Sequence, residues 1–433
     1  MPDQATSAPA AVDSAEPTPS QTLRLAAETR SPMLSQIKGS STIIMTQRAR
    51  DLRAEGRSII GLSHGQPDFE PPEHIREAAI EAIRRGECKY PPVPGITELR
   101  EAVTRKFRRD NGLEFSTDET IISTGAKQLL ANALLGTLDK GDEVIALAPY
   151  FVSYPQLVTM AGAKLVAIQP QQENLKITPE QLAAAITPRT KWLILNSPCN
   201  PSGAVYSREE LAALSQVLLA HPHVSVLSDD IYEHLVYEPA EFATMLQVCP
   251  ELRDRMLIVH GLSKTYAMTG WRLGYAAGPA PLIRTMSLLQ SQVTSGACII
   301  AQWAAVAALD GPQDFVARVR DVFRARRDRT VALIRDVPGL TCAVPEGAFY
   351  VMPSCAALLG RSSPAHRSLE TDSDFAEALL EEAGVSTVPG SAFGLSGHFR
   401  ISYAAAEADL EEACARIRDF CKAISPPALR NDL

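Results

Sequence analysis

Apolar and polar positions follow two alternating rhythms along the chain. From Glu73 to Arg85 the residues Ile75, Ala79, Ala82 and Ile83 recur at helical spacing, and Gly86 closes the run, which predicts a capped amphipathic helix. Short, nearly continuous apolar runs follow at Glu143–Ala148, Trp192–Asn196, Val224–Ser228, Met256–His260 and Leu273–Ala277. Helical stretches such as Arg208–Leu219 separate several of them. Strands alternating with helices predict an α/β fold whose mostly parallel central sheet is covered by helices on both faces. From about Arg329 the pattern reads as a separate, smaller α+β unit. No internal repeat is evident.

The segment from Met1 to about Ala27 is rich in Ala, Pro, Ser and Thr, lacks an apolar stretch, and has Arg24 as its one basic residue. It reads as a disordered tail, neither a secretory signal nor a transit peptide. No run of about 18 apolar residues occurs, so no membrane span is expected. Of the 433 residues, 45% are hydrophobic and 21% charged, enough apolar residues for a sizeable core. A net charge of −8 argues against nucleic acid or an anionic membrane as the main partner. It leaves small acidic ligands open, because a few local arginines override a global charge. The eight cysteines form no CxxC pair. Reduced thiols in a cytoplasmic protein are expected, with no disulfide framework and no metal site.

In sheets of this kind ligands bind at the carboxyl ends of the strands. Asn200, Asp229 and Lys264 each follow an apolar run there. A lysine is ordinarily a solvated surface residue. Lys264, however, stands after Ser263 at a strand end, eight residues before Arg272, which places an amine beside an anion site. Pyridoxal phosphate needs both: an amine for a Schiff base, and donors for a dianionic phosphate. Ser263 and Arg272 can supply the donors, arginine with two parallel charge-assisted bonds. Asp229, in Ser228-Asp229-Asp230-Ile231-Tyr232-Glu233, suits a pyridine nitrogen, since a carboxylate favours the protonated ring. Tyr232 can donate to the ring's phenolic oxygen. Asn200 sits in Asn200-Pro201-Ser202-Gly203, by itself only a turn signal. The small-residue turn Ser123–Gln128 leads into a helix whose first N–H groups would receive phosphate. Arg400 lies inside an apolar run, where burial demands a partner such as an α-carboxylate.

Each of these signals is weak alone. Together NPSG, SDDIYEH, SKTYAMTGWRLGY, AKQ and FRISYA occur in one order from about Ser31 to Cys421. In that order and spacing the chain resembles the class-I aminotransferases of pyridoxal-phosphate fold type I, most closely the bacterial aspartate/prephenate aminotransferase subgroup. The resemblance implies a large cofactor-binding domain over residues 75–328 and a smaller domain built from both chain ends, 31–74 and 329–433, after a tail over 1–30. It implies that Lys264 joins the cofactor and shuttles a proton, that Asp229 holds the ring nitrogen, and that Tyr232 and Asn200 meet the phenolic oxygen. Gly125, Ala126, Lys127, Ser263 and Arg272 would meet the phosphate. Phe151 would stack on the ring. Gly65, Asn200 and Arg400 would contact the substrate carboxylate, and Phe151 stands at the same mouth. Tyr90 would reach the phosphate of the neighbouring subunit, which implies a homodimer with shared sites. The partners expected are an amino acid, aspartate first, and 2-oxoglutarate, exchanged by a ping-pong mechanism.

The chain also departs from its resemblance. Phe151 replaces the usual tryptophan, which removes an indole donor. His64-Gly65-Gln66-Pro67-Asp68 replaces Ala-Gly-Glu-Pro-Asp, with His64 read as a loop residue ahead of the alternative, a substrate contact. Gln290–Ala297 holds no arginine for a second carboxylate. Recognition of an acidic side chain is then expected to rest on neutral donors near Ser41 and Thr42, with lower selectivity for aspartate. Another reaction on the same scaffold, such as a β-lyase, decarboxylase or oxidase, stays open. So does, more remotely, a cofactor-binding regulatory domain.

Overall fold

All five apolar runs fold as strands of one sheet, and two further strands join them. The structure is a computed structural model that describes residues 31–37 and 39–424; the tail expected over residues 1–30 lies outside the described residues. Thr120–Ser123 (β1), Glu143–Leu147 (β2), Lys164–Ile168 (β3), Thr190–Asn196 (β4), Ser225–Asp229 (β5), Met256–Gly261 (β6) and Gly274–Ala277 (β7) lie in the order β1-β7-β6-β5-β4-β2-β3. β7 runs antiparallel to both neighbours, and every other adjacent pair is parallel. The two strands without a clear apolar run are the two edges. β1 has only four residues, and β3 exposes Lys164 and Ala167, as an edge strand can.

The helices expected from Glu73, from the Ser123–Gln128 turn and from Arg208 all form, and one that was not expected precedes them. Ser41–Ala54 (α1) opens the main unit. Glu73–Arg84 (α2) buries Ile75, Ala79 and Ala82, and Ala126–Thr137 (α3) follows β1. Arg208–Leu219 (α4) links β4 to β5 and starts at a capping box in which Ser207 and Glu210 satisfy each other's backbone N–H groups. The described residues before Gly39 belong to a separate unit, where Pro32–Ser35 make one helical turn capped by Ser31.

Toward the C-terminus, Tyr350–Val351 (β8), Val388–Pro389 (β9) and Phe399–Ser402 (β10) form a small antiparallel sheet in the order β9-β10-β8. Asp314–Arg335 (α5) and Glu407–Ala423 (α6) share its apolar cluster, which includes Phe323, Phe349, Phe399, Cys414 and Cys421. Ile60–Gly61 pairs in parallel with Val385–Ser386, so an early segment completes this late part of the chain. Among the described residues no helix is long and apolar enough to cross a membrane.

A buried ion pair underlies the carboxyl ends of β5 and β6. Lys106, 0% exposed, bonds Glu233 and the side chain of Asn111 (2.9 Å). His234 Nε2 and His260 Nε2 each lie 3.2 Å from a Glu233 oxygen, and His260 stacks on Tyr275 at 5.0 Å. Burial pushes both imidazoles down, His234 to about 4. Burial alone would raise Glu233, but Lys106 and the two histidines hold its carboxyl well below the usual range. Glu233 follows Asp229 by four residues and His260 precedes Lys264 by four, so the pair anchors both segments.

Lys106→Met should therefore cost ~3–5 kcal/mol in urea unfolding, because it strands a buried carboxylate. Adding Glu233→Gln should recover most of the loss. The Glu233 contribution should be complete above its unfolded pKa of about 4.3 and vanish as pH falls through the depressed folded value. An unchanged unfolding curve for Lys106→Met would contradict this role.

Candidate active site

At the carboxyl ends of β4, β5 and β6 lies a cavity of about 440 Å³. β6 ends at Gly261, and one helical turn, Leu262–Thr265, then delivers Ser263 and Lys264 to the cavity wall. The Lys264 amine donates to the Gly65 carbonyl (2.5 Å). Burial, with Arg400 and Arg272 nearby, brings its pKa down to about 7 against the opposing pull of Asp229.

Asp229 is the last residue of β5. Burial raises its carboxyl to about 6, although Tyr154 donates to Oδ2 at 2.7 Å and Lys264 lies near. Its other oxygen, Oδ1, is buried with no hydrogen-bond partner. Asn196, at the end of β4, fixes the neighbourhood: its Nδ2 donates to the Asp229 carbonyl (2.7 Å), and its Oδ1 accepts from the Asn200 N–H (2.8 Å). Tyr232 reaches the cavity with its hydroxyl 2.9 Å from that of Tyr350.

Arg400, on β10, is 2% exposed. It donates to Asn200 Oδ1 (2.9 Å) and the Ser63 carbonyl (2.6 Å), and its guanidinium packs 4.5 Å from the Tyr350 ring centre. It makes no ion pair with any acid among the described residues, and its Nε has no partner. Gly65 sits so close to Tyr350 that an added Cβ would fall 2.3 Å from its hydroxyl. Only glycine fits there.

The opposite end of the cavity is built for an anion. Gly125 (φ 93°) caps α3, whose first N–H groups lack intrahelical partners. A Cβ on Gly125 would lie 2.6 Å from Arg272 Nη2, so glycine lets the guanidinium approach the helix start. Arg272 itself has a left-handed backbone (φ 52°) and bonds the Thr269 carbonyl (2.9 Å). Ala126 and Lys127 line the cavity, with Lys127 Nζ 5.3 Å from the Phe151 ring centre. Burial and Arg272 lower the Lys127 pKa.

Nearly all the residues expected at the site thus converge on one cavity. Gly125 and Arg400 stand just behind its lining. Tyr90 is the exception: it is 92% exposed and lies outside this chain's cavity. His64, read as a loop residue, does lie in a loop and also lines the cavity. Of the neutral donors expected near Ser41 and Thr42, Thr42 lines the cavity and Ser41 does not, and Arg50 lines it as well. Tyr154, Asn196 and Tyr350 were not anticipated. Tyr154 stands three residues after Phe151, and Asn196 opens the Asn200 motif, but nothing in one sequence separates them from ordinary core polar residues.

Comparison with known proteins agrees with this geometry. Residues 57–417 match the model of the family "Aminotransferase class I and II". The chain belongs to this aminotransferase family. It is 54% identical to a "Probable aspartate/prephenate aminotransferase" of Rhizobium leguminosarum bv. phaseoli, over 90% of this chain and 98% of the relative. It is 53% identical to the "Aspartate/prephenate aminotransferase" of Cereibacter sphaeroides, over 91% and 99%. The solved aspartate aminotransferase of Rhizobium meliloti superposes with a TM-score of 0.89 at 49% identity, over 92% of this chain and 99% of the other. That of Thermus thermophilus with maleate gives 0.84 at 42%, over 90% and 99%.

This aminotransferase has fold type I and uses pyridoxal phosphate. The residues present fit that cofactor: a half-satisfied buried carboxylate for a cationic ring nitrogen, a helix start with Arg272 for phosphate, and a buried amine between them. In the cofactor-free aminotransferase the Lys264 amine should titrate near pH 7, neutral and reactive above it and protonated below. Labelling with an amine reagent, read by peptide mass, should show that midpoint. A midpoint near the ordinary lysine value of about 10.4 would contradict it.

Proposed function

We propose that the chain transfers the amino group of aspartate to 2-oxoglutarate by a ping-pong mechanism as a homodimer with shared sites. The observation that carries this is one cavity holding an amine (Lys264), a half-satisfied carboxylate (Asp229) and, behind Asn200, a buried arginine without an acid (Arg400). Aspartate is favoured because the Rhizobium meliloti and Thermus thermophilus structures are aspartate aminotransferases. Prephenate is a second substrate to test, because relatives at 54% and 53% identity carry it in their names. Eight free cysteines favour the cytoplasm.

Bound pyridoxal phosphate supplies the electron sink that takes up negative charge when the substrate Cα–H bond breaks. Asp229 holds a proton on the ring nitrogen through its free Oδ1, while Tyr154 keeps the other oxygen occupied. Lys264 Nζ, with its pKa near 7, takes the Cα proton and returns it at a neighbouring carbon, a task suited to a base poised near the working pH. Arg400 orients the α-carboxylate, assisted by Asn200 and Gly65. Tyr232 and Asn200 would meet the phenolic oxygen, and Phe151, on the cavity wall, would pack against the ring. The start of α3, Ser263 and Arg272 grip the phosphate. Tyr90, exposed on this subunit, serves the neighbour's phosphate.

Lys264→Ala should abolish aspartate–2-oxoglutarate transamination and leave no cofactor that borohydride can fix to the protein. Tyr90→Ala should weaken both sites of its homodimer. Mixing the two variants under subunit exchange should restore one undamaged site per heterodimer, so activity should rise above that of either alone. Normal turnover by Lys264→Ala would sink the catalytic reading. No recovery despite proven exchange would sink the shared-site reading.

A further inference from the structure

The turn after β5 packs three buried carboxyls into five residues: Asp229, Asp230 and Glu233 are each 5% exposed or less. Two of them have cations. Lys106 pairs with Glu233, and the Lys264 amine acts on Asp229. The charged groups that act on Asp230 are Glu233 and Asp229, both of its own sign. We propose that Asp230 is a positioning residue that carries a proton directed at Thr244 and so leaves Asp229 the ionised member of the adjacent pair. This rests on the role given to Asp229 above and concerns a residue to which that role gives no task.

Asp230 directly follows β5, and its N–H donates to the Val259 carbonyl of β6 (2.9 Å), which fixes it beside the strand that leads to Lys264. Ser228 Oγ, two residues back, donates to Asp230 Oδ1 at 2.6 Å. The other oxygen, Oδ2, is buried with no hydrogen-bond partner among the described residues. Thr244 Oγ1 is also buried with none, and it lies close enough to act on the Asp230 carboxyl. An ionised Asp230 would thus be a buried charge with one hydroxyl donor and no cation, which a carboxyl avoids by keeping its proton. A proton on Oδ2 removes the charge and gives that oxygen a bond to donate, with Thr244 as the acceptor at hand.

Two ionised carboxylates in one buried turn disfavour each other, so the proton settles on the member whose charge has fewer stabilising partners. Asp229 has the Tyr154 hydroxyl at 2.7 Å, the Ile231 N–H and the Lys264 amine. Asp230 has hydroxyls only, against two like charges. Burial accordingly raises Asp230 further, to about 7, than Asp229, to about 6. The consequence falls on the ring nitrogen. With Asp230 neutral, Asp229 keeps the negative charge that a protonated ring needs. With Asp230 ionised, Asp229 would hold a proton more tightly and compete with the ring for it.

The test uses the holoenzyme, labelled with ¹³C-carboxyl aspartate for infrared difference spectra, and its thermal unfolding across pH. Somewhat below pH 7 the wild type should show the carbonyl stretch of a protonated aspartic acid, and Asp230→Asn should lose it. Thr244→Val should keep that band but shift it, because the bond from the acid's O–H is gone. Thermal unfolding supplies the sign. A carboxyl raised to about 7 is protonated in the folded state alone between its unfolded pKa of about 3.9 and that value, so its stabilisation is complete below the window and is lost as pH rises through it. Asparagine mimics the neutral acid and does not titrate. The Tm of Asp230→Asn should therefore gain a few degrees on the wild type between about pH 5 and pH 8. Asp230→Ala, with neither donor nor acceptor, should unfold below Asp230→Asn throughout. A wild type without the protonated band, a band that survives in Asp230→Asn, or a Tm difference that is flat across this range overturns the proposal and leaves the role of Asp229 standing. An unprotonated ring nitrogen in a wild type that shows the Asp230 band overturns the role of Asp229 instead.

Discussion

The site depends on charges buried without their full complement of partners. Arg400 is enclosed by Tyr350, Phe393 and Asn200, with no acid to meet it among the described residues. Asp229 has one oxygen bonded to Tyr154 and the other to nothing. The Lys264 amine is brought down to about 7 by its burial and by Arg400 and Arg272 nearby. Each arrangement costs free energy in the empty protein, and a fold tolerates such costs where a ligand supplies the missing charge. Three unsatisfied groups with different demands specify the ligand: a cation for Asp229, a carboxylate for Arg400, a carbonyl carbon for the amine.

Holding that arrangement requires a stiff support. Asp229 and Lys264 sit at the ends of adjacent parallel strands, β5 and β6, which are paired through Asp229 and Val259. Below them the Lys106–Glu233 pair ties the turn after β5 to a helix outside the sheet, and His260 packs the end of β6 against Tyr275. Glu233 and the two histidines lie close enough to share a metal ion, but the Lys106 ammonium already meets the carboxylate. A buried ion pair is a poor source of stability compared with apolar packing. Its value here is placement, because it fixes the two segments that carry the reacting groups.

Much of this was legible in the chain. Strands buried on both faces have no polar face, so β2, β4, β5, β6 and the antiparallel β7 announced themselves as apolar runs, and helix α4 appeared at its observed bounds. β1 and β3 did not: β1 offers only two apolar residues between Thr120 and Ser123, and β3 exposes Lys164 and Ala167 at the sheet edge. Lys264, Asp229, Asn200 and Arg400 could be found because motif order places each at a strand end or inside an apolar run. Tyr154, Tyr350 and Ser63 could not, because they act through tertiary contacts across 75, 118 and 337 positions of sequence.

The central claim is that Asp229 is buried half-satisfied in order to hold a positively charged ring nitrogen. The most direct measurement is the ¹⁵N chemical shift of ring-labelled pyridoxal phosphate in the holoenzyme at neutral pH. The account predicts a protonated nitrogen in the wild type that loses its proton in Asp229→Ala. A wild-type spectrum showing an unprotonated nitrogen would contradict it.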